Sequence, residues 1–385
     1  MTITIVCDVL GAPNNGTTLA AMNLTSYLRS RGHTVRIVCS DQDRRGEKDM
    51  YVVPVRNMWP LNRYIAKNDV ALALPDASVV ESALEGCDLV HVMIGFPLAR
   101  MAAKMATEKG IPVTGGFHAM AENLSAHIFM KQSALANRLT YRYYSLTYRY
   151  CTAIHYPTRF LRGFYEDVVG PTNGYVISNG VDSDFHPRSA TRPEAWKDRD
   201  VVLFTGRYSP EKSHRLLIEA AKRSTHRDRL QLVFAGQGPL REKMEKWCAD
   251  LPVKPVFGFH SRSEMVDIIN MADLYVHPAE IEAEGIACLE AIACGLVPVI
   301  SDSPRCATRT YALDEKNLFD HKSPEDLARK MDWWLEHPEE RAKRGQEYLA
   351  MARGELDRAV CMERMEQMMF EAAGKEALTQ IPAAG

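Results

Sequence analysis

The chain has 385 residues, of which 46% are hydrophobic and 25% are charged, values typical of a globular protein. This length exceeds what a single hydrophobic core usually serves, so we expect two domains. The formal net charge of -2 excludes a uniformly basic nucleic-acid binder.

Nine cysteines are scattered singly, without a Cys-x-x-Cys pair. This pattern favours reduced thiols in a cytoplasmic protein over a disulfide framework or a zinc site. The N-terminal apolar run carries Asp8 and has no basic stretch, so it does not resemble a signal peptide. No apolar run approaches the ~18 residues that span a bilayer. We therefore expect a cytoplasmic protein whose membrane contact, where present, is peripheral on the inner face of the cell membrane.

The first half alternates short apolar strands with helical patterns. Strands are predicted at 3–7, 35–39, 88–92 and 111–114, and a helix is predicted after the polar loop 11–17. Strands separated by helices predict a parallel sheet with right-handed crossovers.

A segment rich in Pro, Arg, Asp and Ser predicts a linker at 183–200. The alternation then restarts, with strands predicted at 201–205, 230–235, 253–257, 274–277 and 297–301, and the chain is helical from about Ser323. We predict an α/β fold with two doubly wound Rossmann-like domains facing across a cleft, where ligands bind at the carboxyl ends of the strands. The predicted parts are an N-terminal acceptor-binding domain, 1–182, the linker, a C-terminal nucleotide-sugar-binding domain, 201–350, and a C-terminal helix and tail, 351–385, expected to return to the first domain.

Two carboxylates follow the predicted strand at 274–277. Glu282 is on the loop, Gly285 opens a short helix whose N–H groups can meet an anion, and Glu290 is one to two turns inside it. A carboxylate can accept hydrogen bonds from both hydroxyls of a ribose, and a second carboxylate can accept them from the hydroxyls of the sugar. A simple ion pair of Glu290 with a neighbouring basic residue is an equally good interpretation of the spacing.

Two cations, Arg207 and Lys212, flank a turn after the strand at 201–205. Beside a helix N-terminus they form a cradle for a diphosphate, and they can stabilise charge on a departing one. Taken alone, the motif fits two solvated surface cations equally well.

The order Gly-Arg-x-x-x-Glu-Lys, then Glu, seven residues and Glu, resembles the retaining glycosyltransferases of family 4, which have the two-domain B-type fold. Further similarities run along nearly the whole chain. They are Asn14–Thr17, Phe117-His118, Val176–Asp182, Ala235–Pro239 and Phe257–Phe259.

The resemblance implies roles for the matching positions. Arg207 and Lys212 would bind the donor diphosphate, Glu290 the ribose, and Glu282 with the backbone of Ala283, Glu284, Gly285 and Ile286 the donor sugar. His118 would lie beside the reacting sugar, and Gly16 would let the backbone approach it. The residue-level alternatives are a satisfied loop imidazole for His118 and an ordinary turn glycine for Gly16. Because the departing phosphate can take the acceptor proton, no strong base is required; Asp8, Glu122 and His127 are weak candidates.

The chain departs from the family where a double glycine is usual, reading Ser303-Pro304-Arg305-Cys306, and this leaves the sugar open. Its N-terminal loop has Asn-Asn-Gly instead of a glycine pair. Asp41-Gln42-Asp43 and Asp182-Ser183-Asp184 match Asp-x-Asp, the signature of metal-dependent transferases. Because both fall in loop or linker and Arg207 and Lys212 supply positive charge, we predict no metal and no cofactor beyond the donor.

The acceptor side contains a basic and aromatic stretch, residues 123–165, without Asp or Glu. This stretch, Lys131–Arg162 in particular, and a second one, Arg56–Lys67, have the composition of a surface that binds anionic headgroups. The alternatives are a solvated basic helix face with buried tyrosines and, less favoured, a polyanion site. The sequence favours a lipid-linked acceptor, such as diacylglycerol or a polyprenyl phosphate intermediate, and predicts no nucleic-acid partner.

We therefore predict a retaining, metal-independent hexosyltransferase that moves glucose or galactose from a UDP-sugar to a lipid or glycan. A soluble-acceptor or polysaccharide-building transferase, a sugar-nucleotide epimerase and a phosphorylase share the architecture. A non-catalytic scaffold that binds sugar nucleotide is the alternative from a different class.

Overall fold

The computed structural model describes residues 1–8, 16–57, 59, 72–122 and 133–374. The chain forms two compact units. Unit 1 comprises Met1–Asn179 and Cys361–Gly385, and unit 2 comprises Gly180–Val360.

Unit 1 is built on a parallel seven-stranded sheet with the order β3-β2-β1-β4-β5-β6-β7. Its helices cover the sheet, as expected when parallel strands are joined by crossovers. The strands are β1 Thr2–Val6, β2 Thr34–Cys39, β3 Met50–Val52, β4 Leu89–Val92, β5 Val113–Gly116, β6 Ala153–Tyr156 and β7 Gly174–Val176; the helices are α1 Gly16–Ser30, α2 Ala77–Leu84, α3 Pro97–Glu108, α4 Ala134–Tyr148 and α5 Arg159–Val169.

Unit 2 contains a parallel six-stranded sheet with the order β10-β9-β8-β11-β12-β13. The strands are β8 Asp200–Thr205, β9 Leu230–Ala235, β10 Val256–Gly258, β11 Leu274–His277, β12 Pro298–Ser301 and β13 Leu318–Phe319; the helices are α6 His214–Arg223, α7 Arg241–Trp247, α8 Arg262–Met271, α9 Ile286–Ala293, α10 Pro324–Glu336 and α11 Pro338–Ala352. A last helix, α12 Arg358–Ala372, begins in unit 2 and enters unit 1 at Cys361.

The two doubly wound α/β units and the return of the C-terminal helix are confirmed. Four methionines of α12, Met362, Met365, Met368 and Met369, are buried in the core of unit 1. Glu366 fixes the same helix, because its carboxylate lies 2.7 Å from His33 Nε2 and 3.2 Å from Arg31 Nε. α12 is therefore part of the first core although it is distant in sequence.

Two predicted strands are shifted, each by a proline. The strand predicted at 111–114 lies at Val113–Gly116, and the one predicted at 253–257 lies at Val256–Gly258. Both begin directly after a proline, which lacks the N–H that a central strand requires. The prediction did not include β3, β6, β7 or β13 as strands, since these have two to four residues and little periodicity.

Candidate active site

The candidate donor site is built by loops that follow adjacent strands of unit 2. β8, β11 and β12 are neighbours in the sheet, and the loops after them carry 206–213, 278–285 and 302–308. Carboxyl ends of parallel strands lie at one edge, which is where open α/β sheets bind ligands. Backbone bonds join these loops: Glu280 N donates to Glu211 O at 2.8 Å, and Glu282 N donates to Arg305 O at 3.1 Å.

Lys212 and Glu282 are in direct contact. The ammonium of Lys212 donates to Glu282 Oε2, and the two side chains are only 19% and 17% exposed. Burial alone would raise the pKa of Glu282, but the Lys212 ammonium and the His277 imidazole lower it to about 2. Burial alone would lower the pKa of Lys212, but the Glu282 carboxylate has the larger effect and raises it. Both groups are charged at neutral pH.

Gly285 turns the chain from the Glu282 loop into α9. It has φ +79°, a left-handed conformation that favours glycine, and a Cβ there would come within 2.2 Å of Thr308 Cγ2. Ala283 and the buried Glu284 precede it, and Ile286 is the first residue of the helix. The predicted sugar-binding backbone is thus at the N-terminus of α9.

Arg207 lies on the loop after β8, which a second loop supports. Tyr208 N donates to Gln237 O at 2.8 Å, and Leu240 N donates to Tyr208 O at 3.1 Å. A Cβ on Gly236 would meet Gly206 O at 2.0 Å, so the Ala235–Pro239 turn requires glycine there. The Arg207 side chain is half-buried and makes no ion pair with any described residue. Arg207 is thus less exposed than the solvated-cation alternative expects, and its guanidinium is available to bind an anion.

Glu290 is half-buried in the second turn of α9. In the described part of the chain its carboxylate has neither a hydrogen bond nor an ion pair, so the ion-pair interpretation finds no support there. Burial raises the pKa of Glu290 to about 7, against the smaller opposing effect of Arg262. An unpaired carboxyl of this kind can bind a ligand hydroxyl.

The loop that replaces the family's double glycine is joined to the Glu282 loop. Ser303 Oγ donates to Glu280 O at 2.7 Å, Ala307 N donates to Glu282 O at 2.8 Å, and the Arg305 guanidinium pairs with the Glu280 carboxylate. The departure in sequence therefore builds a fixed support for Glu282.

In unit 1, His118 follows β5 and belongs to a group of three histidines with His91 of β4 and His155 of β6. The His118 and His155 rings lie 5.2 Å apart, and a Cβ on Gly116 would be 2.5 Å from His118 Nε2 and 3.4 Å from His91 Nε2. His118 Nε2 is buried without a hydrogen bond in the described part of the chain. The alternative of a satisfied loop imidazole requires a partner for this nitrogen, so the structure does not support it. Burial lowers the pKa of all three, to about 3 for His91 and about 4 for His155, so the group is neutral.

The other candidates of unit 1 are spread along its strand ends. Gly16 is the first residue of α1, and a Cβ there would meet no described atom within 4 Å. Asp8 is buried at the end of β1, neither of its carboxylate oxygens has a well-formed hydrogen bond in the described part, and burial raises its pKa to about 7. Glu122 accepts a hydrogen bond from Tyr141 Oη at 2.8 Å. Asn14, Asn15 and His127 are outside the described residues.

The second Asp-x-Asp segment takes part in ion pairs through Asp182. Asp182 pairs with Arg262 at 2.8 Å and with Arg358, and so belongs to an ion-pair network. Among the described residues, one group has metal-ligand spacing, Asp302 with Asp320 and His321, and it contains neither segment.

The basic and aromatic stretch has two sides in its described part. Phe117 is packed between buried tyrosines, and Tyr165 is 4.4 Å away in ring centroid. The exposed side of α4 and the residue after it carry three leucines and three arginines at helical spacing, namely Leu135, Arg138, Leu139, Arg142, Leu146 and Arg149. Lys131 and most of Arg56–Lys67 are outside the described residues, although Trp59 is 83% exposed.

The described helices include none with the length and apolar character needed to cross a bilayer. Among the described residues of the stretch, five tyrosines belong to the core, whereas Arg138, Arg142 and Arg149 are exposed; the five are Tyr141, Tyr144, Tyr148, Tyr156 and Tyr165.

Sequence reasoning missed several residues that contact the site. His277 ends β11, and its Nε2 lies 3.4 Å from Glu282 Oε2; Glu280 and Arg305 form the support described above. A polar residue at the carboxyl end of a buried strand was the available signal for His277, as it was for His91 and His155.

Two family models of glycosyltransferases match this chain, one over most of unit 1 and the other over most of unit 2. The family model described as "Glycosyl transferases group 1" matches residues 188–348, and the model "Glycosyltransferase Family 4" matches residues 14–185. The Anabaena HepE structure with UDP and glucose is similar over 96% of this chain and 100% of its own, with a TM-score of 0.74 and 16% identity. At that identity the likeness concerns the two-domain fold.

Two curated relatives are named for enzymes that act on lipids. A GDP-mannose-dependent phosphatidylinositol dimannoside mannosyltransferase of Mycobacterium tuberculosis is 30% identical over 46% of this chain and 48% of its own length. An α-monoglucosyldiacylglycerol synthase of Streptococcus pneumoniae is 23% identical over 78% of this chain and 71% of its own. The match to the mannosyltransferase thus spans about half of that relative. Because one model or the other matches most of the chain, and because the motifs in unit 2 fall at one sheet edge, the protein belongs to glycosyltransferase family 4.

Proposed function

We propose that the protein transfers a hexose, with retention and without a metal, from a nucleoside diphosphate sugar to a lipid or lipid-linked acceptor. The observation that carries this proposal is the edge of unit 2. There, a half-buried Arg207 and an unpaired Glu290 accompany the half-buried Lys212–Glu282 pair.

Each of these groups fits one part of the donor. Arg207 and Lys212 would bind the two phosphates, with the N-terminus of α9 contributing its free N–H groups. The Glu290 carboxyl would accept the ribose hydroxyls. Glu282, His118 and Gly16 would serve the sugar, and we favour glucose or galactose on UDP. The name of the mycobacterial relative makes GDP-mannose the competing donor.

The reaction needs charge stabilisation more than a strong base. The acceptor oxygen forms a bond to C1 of the sugar, the bond from C1 to the phosphate oxygen breaks, and the acceptor proton passes to the departing phosphate. Arg207 and Lys212 would stabilise the charge that collects on the diphosphate. Two fixed protein cations can do the work that a divalent ion does in other transferases.

A lipid acceptor is supported by the outer side of α4. Its leucines and arginines alternate on one face, the composition that binds an anionic membrane surface. The names of both curated relatives also point to lipid acceptors. The proposal thus places the enzyme in the cytoplasm, peripherally on the inner face of the membrane.

The test is a donor panel of UDP-glucose, UDP-galactose and GDP-mannose, each mixed with membrane lipid extract or with soluble oligosaccharides. We expect a lipid carrying one added hexose, of α configuration, at the same rate with EDTA as with Mg²⁺. Diphosphate release without a glycosylated product would instead indicate hydrolysis, and an isomerised donor sugar an epimerase. Failure to bind any donor would favour a scaffold.

A further inference from the structure

A buried hydrogen-bonded series leads from the middle of the unit 2 sheet to His277, which lies beside Glu282. Thr205 Oγ1 donates to Tyr275 Oη at 3.2 Å, and Tyr275 Oη lies 3.1 Å from His277 Nδ1. His277 Nε2 lies 3.4 Å from Glu282 Oε2. Thr205, Tyr275 and His277 are at most 6% exposed. Side chains this deeply buried have few alternative partners, so their arrangement is restrictive.

The direction of the Thr205 hydrogen bond favours one tautomer of His277. The Tyr275 hydroxyl accepts from Thr205, so its own proton is directed at His277 Nδ1. Nδ1 is then an acceptor, and the proton of the neutral imidazole is on Nε2, the nitrogen beside Glu282. Burial lowers the pKa of His277 despite the nearby carboxylate, which agrees with a neutral ring.

Both donors approach the same oxygen of Glu282. Lys212 Nζ donates to Oε2, and His277 Nε2 is nearest to Oε2 as well. In the described part of the chain, the other oxygen of Glu282 makes no hydrogen bond. An oxygen left without a partner in a pocket is the one that can accept from a ligand hydroxyl.

We propose that His277, held in one tautomer by Tyr275, is a positioning residue that fixes Oε2 of Glu282 and presents the other oxygen to the donor sugar. This inference rests on the proposed function. The Nε2–Oε2 contact is long and imperfectly aligned in the free protein, and it would shorten when the sugar binds.

The test compares replacements along the series. His277→Leu removes the N–H, and we expect kcat to fall by about 10- to 100-fold while the Kd for free UDP or GDP is unchanged. His277→Gln, whose amide can again donate to Oε2, should recover most of that loss. Tyr275→Phe leaves the ring free to exchange tautomers and should lower kcat by a smaller factor.

Two matched controls are available in the same unit. Tyr348 is also fully buried, with its hydroxyl 3.3 Å from Leu313 N, and His226 pairs with Asp200 at 2.7 Å. Tyr348→Phe and His226→Gln should leave kcat at the wild-type value. If His277→Leu and Tyr275→Phe lower the melting temperature but turn over sugar like the wild type, the residues only fill the core and the inference is wrong.

A spectroscopic readout separates this inference from the proposed function. Long-range ¹H–¹⁵N spectra of protein labelled at histidine report the tautomer without any substrate, and the His277 signals are those lost in His277→Gln. We expect the Nε2–H tautomer in the wild type and a mixture in Tyr275→Phe. A wild type with the proton on Nδ1 overturns the inference whatever its activity, whereas a wild type that transfers no sugar overturns the proposed function.

Discussion

The edges formed by the carboxyl ends of the strands carry different charges in the two units. In unit 2, the ammonium of Lys212 and the carboxylate of Glu282 are half-buried, ionised and in contact. In unit 1, the corresponding strand ends carry three neutral histidines and Asp8, whose pKa is near 7. An edge with fixed cations suits a diphosphate, and a neutral edge with hydrogen-bonding nitrogens suits uncharged hydroxyls. The difference is what a division between donor and acceptor would require.

Removing the cation of unit 2 should have the largest effect. Under the proposed function, Lys212→Ala would take away charge stabilisation of the leaving diphosphate, so kcat should fall by about 10²- to 10³-fold. It also leaves Glu282 buried without its main partner, and thermal unfolding should show a lower melting temperature. Lys222→Ala, whose side chain pairs with Glu219 and Asp250, is the control. Wild-type kcat in Lys212→Ala would contradict the ionic role of this edge.

Removing charge from unit 1 should act on membrane binding instead. Replacing Arg138, Arg142 and Arg149 by Gln should weaken co-sedimentation with phosphatidylglycerol vesicles by about 100-fold, at roughly 1 kcal/mol for each arginine. Binding to phosphatidylcholine vesicles should change little. The matched control neutralises three exposed cations elsewhere in unit 1, Arg45, Lys48 and Lys104. Equal losses in both triple variants would mean that net charge, and not this helix face, governs binding.

The neutral state of Asp8 in unit 1 can be tested by measuring how the free energy of unfolding depends on pH. Its pKa in the folded protein is raised from 3.8 to about 7, so the wild type loses stability as pH rises through that interval. Asp8→Asn should therefore match the wild type near pH 4 and exceed its free energy of unfolding at pH 8 by about 4 kcal/mol. Urea titrations at both pH values measure this, with the exposed Asp43→Asn as control. A constant difference at the two pH values would show that Asp8 is ionised normally.

The role of Glu290 in unit 2 can be tested by measuring how donor affinity depends on pH. Under the proposed function, Glu290→Gln would remove a charged acceptor of hydrogen bonds from the ribose and should weaken donor binding by about 10-fold at pH 8. Because the pKa of Glu290 is raised to about 7, wild-type affinity should fall between pH 8 and pH 6, and that of the variant should not. Isothermal titration with UDP and GDP at both pH values provides the measurement. A pH-dependent loss of equal size in the variant would assign the titration to another group.

The sequence predicted unit 2 more completely than unit 1, for physical reasons. In unit 2 the site residues lie in short loops after strong apolar strands, so Arg207, Lys212 and Glu282 could be placed from order alone. In unit 1, the strand β6 is hidden in the basic and aromatic stretch. The favoured interpretation put the tyrosines of this stretch on a lipid-binding surface, whereas several of them are buried around Phe117, as in the alternative of a basic helix face with buried tyrosines.

Contacts between loops were beyond the sequence. Nothing local in Ser303–Cys306 indicates that Arg305 pairs with Glu280, since the two are brought together only by the neighbouring positions of β11 and β12. The same holds for Tyr275 and His277. They alternate with Val276 on a strand, so they point to one face, but the partners Thr205 and Glu282 come from other elements.

The docking of α12 limits how the molecule can be divided. Unit 2 is one uninterrupted segment, Gly180–Val360, and is a natural choice for expression by itself. A shortened form made of residues 1–179 would lack Met362, Met365, Met368 and Met369, and would expose the apolar groove that they fill. Such a fragment should aggregate unless the last helix is rejoined through an artificial loop or supplied as a separate peptide.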